Sequence, residues 1–300
     1  MHSYKKVTPA PANGYGFTMS EPLLLQLQRP QLGRRLGLFL LVLACLLVLG
    51  FYSATDVEHL AHDDLLGTAD YAGYTVCHRL TGHSFVFAGR QMPLCARCTG
   101  MYLGIALAFS VLLLAGRWRW TEMPPLSILL GFGFLVALMG VDGVNSYSHF
   151  FPNAPHLYEP QNWLRLTTGM GVGLAMGSVA FPALAQTLWA REIGRASIAN
   201  GRELLGLLAL GLLIILLVLS NQPALLYVLS LISAAGVVAI LTTLNTIMLL
   251  LVLRREGRVQ RWPQAIPSLL VGLCLAVLLI AVVSYARYSL TGTLIGFPGM

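Results

Sequence analysis

Charge is what this chain has least of. Nineteen Lys and Arg and twelve Asp and Glu make up 10% of its 300 residues, where soluble domains carry about 25%. With 56% hydrophobic residues and a mean hydropathy of +0.73, too few polar side chains are available to cover a water-soluble fold. The same hydrophobicity excludes disorder over most of the chain, because disordered tracts combine low hydrophobicity with high net charge. The net charge of +7 does not point to nucleic acid either. Its cations stand in twos and fours beside apolar runs instead of gathering on one polar face. Also missing are the ten-residue alternation of a membrane barrel and any internal repeat with matching motifs. No strand precedes the glycine-rich stretches, so a nucleotide-binding loop is excluded.

Continuous apolar runs fill most of what remains. Seven are long enough to cross about 30 Å of hydrocarbon as helices: 36–54, 94–116, 126–144, 163–186, 204–220, 224–253 and 267–287. The fold class is therefore all-α, a polytopic transmembrane helix bundle whose sixth span tilts or projects beyond the bilayer. Fourteen of the nineteen cations, among them Arg117, Arg119, Arg191, Arg195, Arg202 and Arg254, fall on one side if the N-terminus is cytoplasmic. This orientation follows the positive-inside rule and leaves the C-terminus outside. Residues 36–54 read as an uncleaved signal anchor, since a long segment precedes them and no firm cleavage site follows. The expected organisation is a disordered cytoplasmic arm (1–35), a four-span unit (36–186) and a three-span C-terminal bundle (187–300). A multi-pass protein of the cell (plasma or inner) membrane follows, with the lipid bilayer and membrane-complex subunits as partners.

Chemistry concentrates on the outer side of this scheme. Six of the seven histidines lie there (His59, His62, His78, His83, His149 and His156), as do Cys77, Cys95 and Cys98. Cys45 and Cys274 lie within spans and read as inert core thiols. The stretch 56–70, with Asp56, Glu58, Asp63, Asp64 and Asp70, reads as a solvated acidic connector. His59, His62 and Asp63 would share one helix face there. Residues 71–92 read as an interfacial or re-entrant segment, and Arg287 as the end of the last span.

The sharpest local signal is Cys77-His78, followed after sixteen residues by Cys95-Ala96-Arg97-Cys98. A Cys-x-x-Cys pair presents two thiols from one turn, a spacing that suits zinc, iron or a redox disulfide. Cys77 and His78 complete a four-ligand set if the backbone between them is non-helical, and His83 is the alternative fourth ligand. The pair sits at a helix N-terminus with Arg97 between the thiols, where dipole and cation favour thiolate. A catalytic dithiol passing electrons to a quinone and a plain structural disulfide stay open beside the metal reading.

Polar groups at the neighbouring span ends add to this constellation. Asp142 and Asn145 close the third span, and Asn162 and Arg165 open the fourth. An acid and an arginine at hydrocarbon depth cost about 2.5–3.5 kcal/mol each and usually pair, so Asp142 with Arg165 is the expected pair and Arg97 its third member. Such a cluster is either a ligand pocket orienting the metal ligands or a helix clamp. An anion transporter using Asp142, Arg165 and Arg97 is the last alternative, since no paired broken helices are evident. Gly100 with Gly104, and Gly169, Gly171, Gly173 and Gly177, read as small-residue faces for close helix packing.

Cys77-His78, Ser84-Phe85, Gly89 and the run PLCARCTGMYLG from Pro93 to Gly104 resemble the signature of a prokaryotic family of small predicted integral-membrane proteins, catalogued as a domain of unknown function. Asp142-Gly143, Asn162, Arg165, Thr168 and Gly169 are similar to its later motifs, and the likeness spans about 74–185. Arg79 departs from the family, which usually has glutamine there, and His83 is atypical. The resemblance implies one linked site of Cys77, His78, Cys95, Arg97, Cys98, Asp142, Asn162 and Arg165, and implies no activity.

Overall fold

The computed structural model describes residues 64–149, 151, 155, 157–191 and 193–292. The expected arm, the first span at 36–54, Cys45, His59, His62, Asp63 and His156 lie outside the described residues. Within them the helices are α1 (Asp64–Val76), α2 (Ala96–Leu114), α3 (Leu126–Ser148), α4 (Asn162–Leu188), α5 (Gly201–Leu219), α6 (Pro223–Val252) and α7 (Trp262–Thr291). The six from α2 to α7 are long and apolar enough to cross a membrane, and they fall on the expected second to seventh spans. Sheet is confined to two two-stranded pairs among the described residues. The protein is a multi-pass, all-α membrane protein.

Helix α4 is the centre of the bundle: 67% of its apolar window is buried, against 11% for α7. Its glycines explain why. A Cβ on Gly169 would strike the carbonyl of Arg97, and one on Gly173 the carbonyl of Met101. Conversely, Gly100 faces the Leu166 carbonyl, and a Cβ on Gly104 would lie 2.7 Å from the Met170 carbonyl. The small-residue faces of α2 and α4 thus meet backbone to backbone, which maximises dispersion contact where lipid supplies no hydrophobic drive between helices. The outer faces of α3, α5 and α7 present Leu130, Phe134, Leu212 and Leu278 without protein cover, as lipid-facing helices do.

The cation-bearing connections converge at one end. Strand β3 (Trp120–Glu122), after α2, pairs in parallel with β4 (Ile193–Ala196), after α4. Trp189 bridges to Val259 in the α6–α7 connection, and Arg119 donates to the Gln260 carbonyl at 2.6 Å. Arg117 forms a two-pronged pair with Glu203, 2.7 Å on each arm. Trp118, Trp189 and Trp262 pack together with ring centroids 4.7–5.1 Å apart. The other end of the bundle is left to residues 77–95 and the N-termini of α2 and α4.

Two details there differ from the sequence expectations. The acidic stretch continues into a helix, α1, whose Tyr74 hydroxyl meets Thr291 Oγ1 at 2.7 Å and whose Thr75 meets Ser284 at 2.9 Å, both on α7. Arg287 does more than end the last span. It donates to the carbonyls of Tyr74 and, at 2.7 Å, of Cys77, and lies 4.0 Å over the Tyr74 ring. A cation on the last carbonyls of α1 satisfies acceptors that the helix itself leaves open.

Candidate functional site

Helix α1 stops at Val76, and Arg79 adopts a left-handed φ of 51°. This turn brings the Arg79 N–H within 3.4 Å of Cys77 Sγ. Cys95 caps the N-terminus of α2, and its N–H donates to the same sulfur at 3.3 Å. Cys98 stands one helical turn further on. The Sγ atoms of Cys77, Cys95 and Cys98 all lie within 4.8 Å of one another, and all three thiols are free. Cys77 and Cys95 are buried, whereas Cys98 is half-buried. Hydrogen bonds from the Cys95 and Cys98 thiols, with smaller help from His78 and the Cys95 N–H, hold Cys77 well below the ordinary thiol range against the opposing effect of burial.

The loop that carries Cys77 is tied down by charge. Asp70 accepts from Arg79 at 2.9 Å and from Arg90 at 2.7 Å. Asp70 therefore does not belong to a solvated connector: it is the bracket that joins α1 to the following hairpin. Burial pushes the Arg79 guanidinium below its usual value, and Asp70 opposes that shift. The Gln91 amide donates to the Arg79 carbonyl at 3.0 Å and to Ser84 Oγ at 2.9 Å. Strands β1 (Val86–Phe87) and β2 (Arg90–Gln91) pair antiparallel around Ala88 and Gly89, whose φ values of 48° and 74° suit a type I′ turn.

A cavity of about 410 Å³ opens beside the thiols, lined among others by His78, His83, Cys95, Arg97, Cys98 and Arg165. His78 is not one of the clustered ligand atoms; its Nε2 stands 3.4 Å from His83 Nδ1. Burial, reinforced by the charges of Arg165, His78 and Arg97, pushes His83 down to about 4.

The expected pair of Asp142 with Arg165 is not made. Asp142, 1% exposed, instead accepts from Arg97 and, at 2.9 Å, from the Tyr158 hydroxyl. The tight approach at Gly169 is the physical reason: it seats the first turn of α2 where Arg97 reaches the carboxylate. Arg165 donates to Asn162 Oδ1 at 3.0 Å, and Asn162 in turn donates to the Gly82 carbonyl at 3.3 Å. The Asn145 side chain is committed to the chain after α3, accepting from Leu157 N–H at 2.7 Å and donating to the Tyr158 carbonyl at 2.8 Å. That same chain places Tyr158, whose role no sequence pattern signals. His149 and Glu159 lie 3.4 Å apart, and Cys274, expected in the core, is exposed instead, because α7 buries little of its apolar surface against the bundle.

Residues 77–179 match the family described as "Predicted membrane protein (DUF2085)". An "Uncharacterized protein" of Methanothermobacter thermautotrophicus is 35% identical over 103 residues, covering 34% of this chain and 82% of the archaeal one. No solved structure matches. The matched stretch begins at Cys77 and takes in all three clustered thiols, Asp142, Asn162 and Arg165. On this likeness, the chain belongs to the DUF2085 family of predicted membrane proteins.

Proposed function

We propose that Cys77, Cys95 and Cys98 hold one soft metal ion, zinc before iron, and that this centre serves a structural or complex-subunit role in the cell membrane. The observation that carries the reading is the meeting of three sulfurs from two chain segments within 4.8 Å. Zinc–sulfur bonds of about 2.3 Å in a tetrahedron require sulfurs about 3.8 Å apart, a spacing compatible with three sulfurs that lie within 4.8 Å of one another. The two backbone N–H groups on Cys77 Sγ favour the thiolate that a metal needs. His78, which lines the cavity with Cys95 and Cys98, is the residue that would supply a nitrogen ligand at the fourth position. A centre closed by His78 is structural, while Lewis-acid chemistry needs that position open. By joining the end of α1 to the head of α2, the ion contributes its binding energy to folding. The positive-inside rule places this end outside and the cationic connections in the cytoplasm.

A second reading, a thiol–disulfide oxidoreductase, draws support from Cys98 facing the cavity one turn from Cys95 at a helix N-terminus. Oxidation of that pair to a disulfide would deliver two electrons and two protons to a quinone-class acceptor, with Cys77 as relay. Elemental analysis of detergent-purified protein separates the two. About one equivalent of zinc, absent from a Cys95→Ser/Cys98→Ser protein, is expected. Metal-free wild type carrying a Cys95–Cys98 disulfide would refute the metal centre in favour of the oxidoreductase.

A further inference from the structure

The cavity beside the thiols contains a positive charge that no carboxylate among the described residues pairs. Arg165 is 5% exposed, yet among the described residues no carboxylate lies within 4.0 Å of its guanidinium. Its hydrogen-bond partner is the neutral amide of Asn162. Asp142 is occupied by Arg97 and Tyr158, so one carboxylate stands against two guanidiniums. The first turn of α4, which begins at Asn162, adds the positive end of a 27-residue helix. A charge left buried and unpaired is destabilising, and an anion that completes the site offsets that cost. Arg165 lines the cavity with Arg97, and its planar fork matches an oxyanion in two-pronged fashion. The volume of about 410 Å³ falls within the range of about 300–1,000 Å³ of small-molecule sites. Leu80 and Tyr147, which also line the cavity, suit a ligand with an apolar body.

We propose that this cavity binds the oxyanion group of a small ligand, a phosphate or a carboxylate, with Arg165 as its principal partner and Arg97 beside it. The site rests on the arginines and not on the metal reading, so either can fail alone. The ligand arrives as a free organic acid or phosphate ester, or as an anionic lipid headgroup; the chemistry recognised is the same.

The test uses the full chain in neutral phosphatidylcholine nanodiscs, with melting followed in sodium phosphate, sodium acetate and sodium chloride at equal ionic strength. Phosphate or acetate is expected to raise the melting temperature saturably, by several degrees over chloride. Half-saturation should weaken at least tenfold in Arg165→Lys, and the shift should vanish in Arg165→Gln while persisting in Cys274→Ser, whose thiol is exposed on α7. If phosphatidylglycerol nanodiscs raise the melting point and abolish the response to free anion, the headgroup is the source; a persisting response assigns the site to a soluble anion. Wild-type protein that responds no more to phosphate and acetate than to chloride would overturn the proposal, a comparison that needs no variant to fold. So would an equal response in Arg165→Gln. Loss of metal from Arg165→Gln, with no oxyanion response in wild type, would reassign the arginine to balancing the thiolates.

Discussion

A Cys77→Ser protein is expected to purify without its metal and to melt well below the wild type. Cys77 is the one clustered thiol supplied from outside the Cys-x-x-Cys turn, so without it the loop loses its sulfur bond to the ion at the head of α2. Serine keeps the size of the side chain but is not ionised at neutral pH, and its hydroxyl is a poor ligand for a soft metal. Changes to groups that only orient a ligand already cost about 10–100-fold in metal affinity, and loss of a ligand exceeds that. The two backbone N–H groups that now point at Cys77 Sγ would also lose a charged acceptor. The metal-to-protein ratio and the thermal midpoint check the outcome together. Cys274→Ser is the matched control, because Cys274 is exposed on α7 and its replacement should change neither.

Gly173→Val is expected to be comparably damaging for a different reason. A Cβ there would overlap the Met101 carbonyl, and neither backbone can withdraw without opening the α2–α4 seam. Overpacking of this kind costs about 1–3 kcal/mol where neighbours can shift, and more is expected where the obstacle is main chain. The effect reaches the thiols, since the same seam at Gly169 holds the Arg97 carbonyl, one residue before Cys98. Melting in detergent, with the rate at which an alkylating reagent labels Cys98, reads both consequences: a lower midpoint and faster labelling. Gly67→Ala in α1 is the contrast, for a Cβ there meets nothing within 4 Å. It should be neutral or raise stability by about 1 kcal/mol through helix propensity.

The second to seventh spans were legible because hydrocarbon thickness converts directly into run length, and the convergence of Arg117, Arg119 and Arg195 at one end follows from their alternation between spans. The proximity of Cys77 to Cys95 and Cys98 was legible too, from thiol spacing and from the likeness around Pro93–Gly104. What escaped reading is the long-range polar pairing. Asp70 stands in an acidic run whose composition says only that it is hydrophilic, yet its partners are Arg79 and Arg90. Arg287 finds the Cys77 carbonyl across 210 residues, a contact that no local pattern encodes. Asp142 chose Arg97 over Arg165 because a glycine on α4 set the depth of α2, an effect of packing and not of charge. Strands of two residues, such as Val86–Phe87, are too short to show the alternation that marks a strand.

The central claim is that three sulfurs bind one ion, and X-ray absorption at the metal edge of the purified protein tests it most directly. The expected spectrum shows three sulfur neighbours at about 2.3 Å with one nitrogen or oxygen completing the shell. The sulfur number should fall to two in any Cys77→Ser protein that can be reloaded with metal. A shell of nitrogen and oxygen alone, or a wild type without bound metal, would contradict the account.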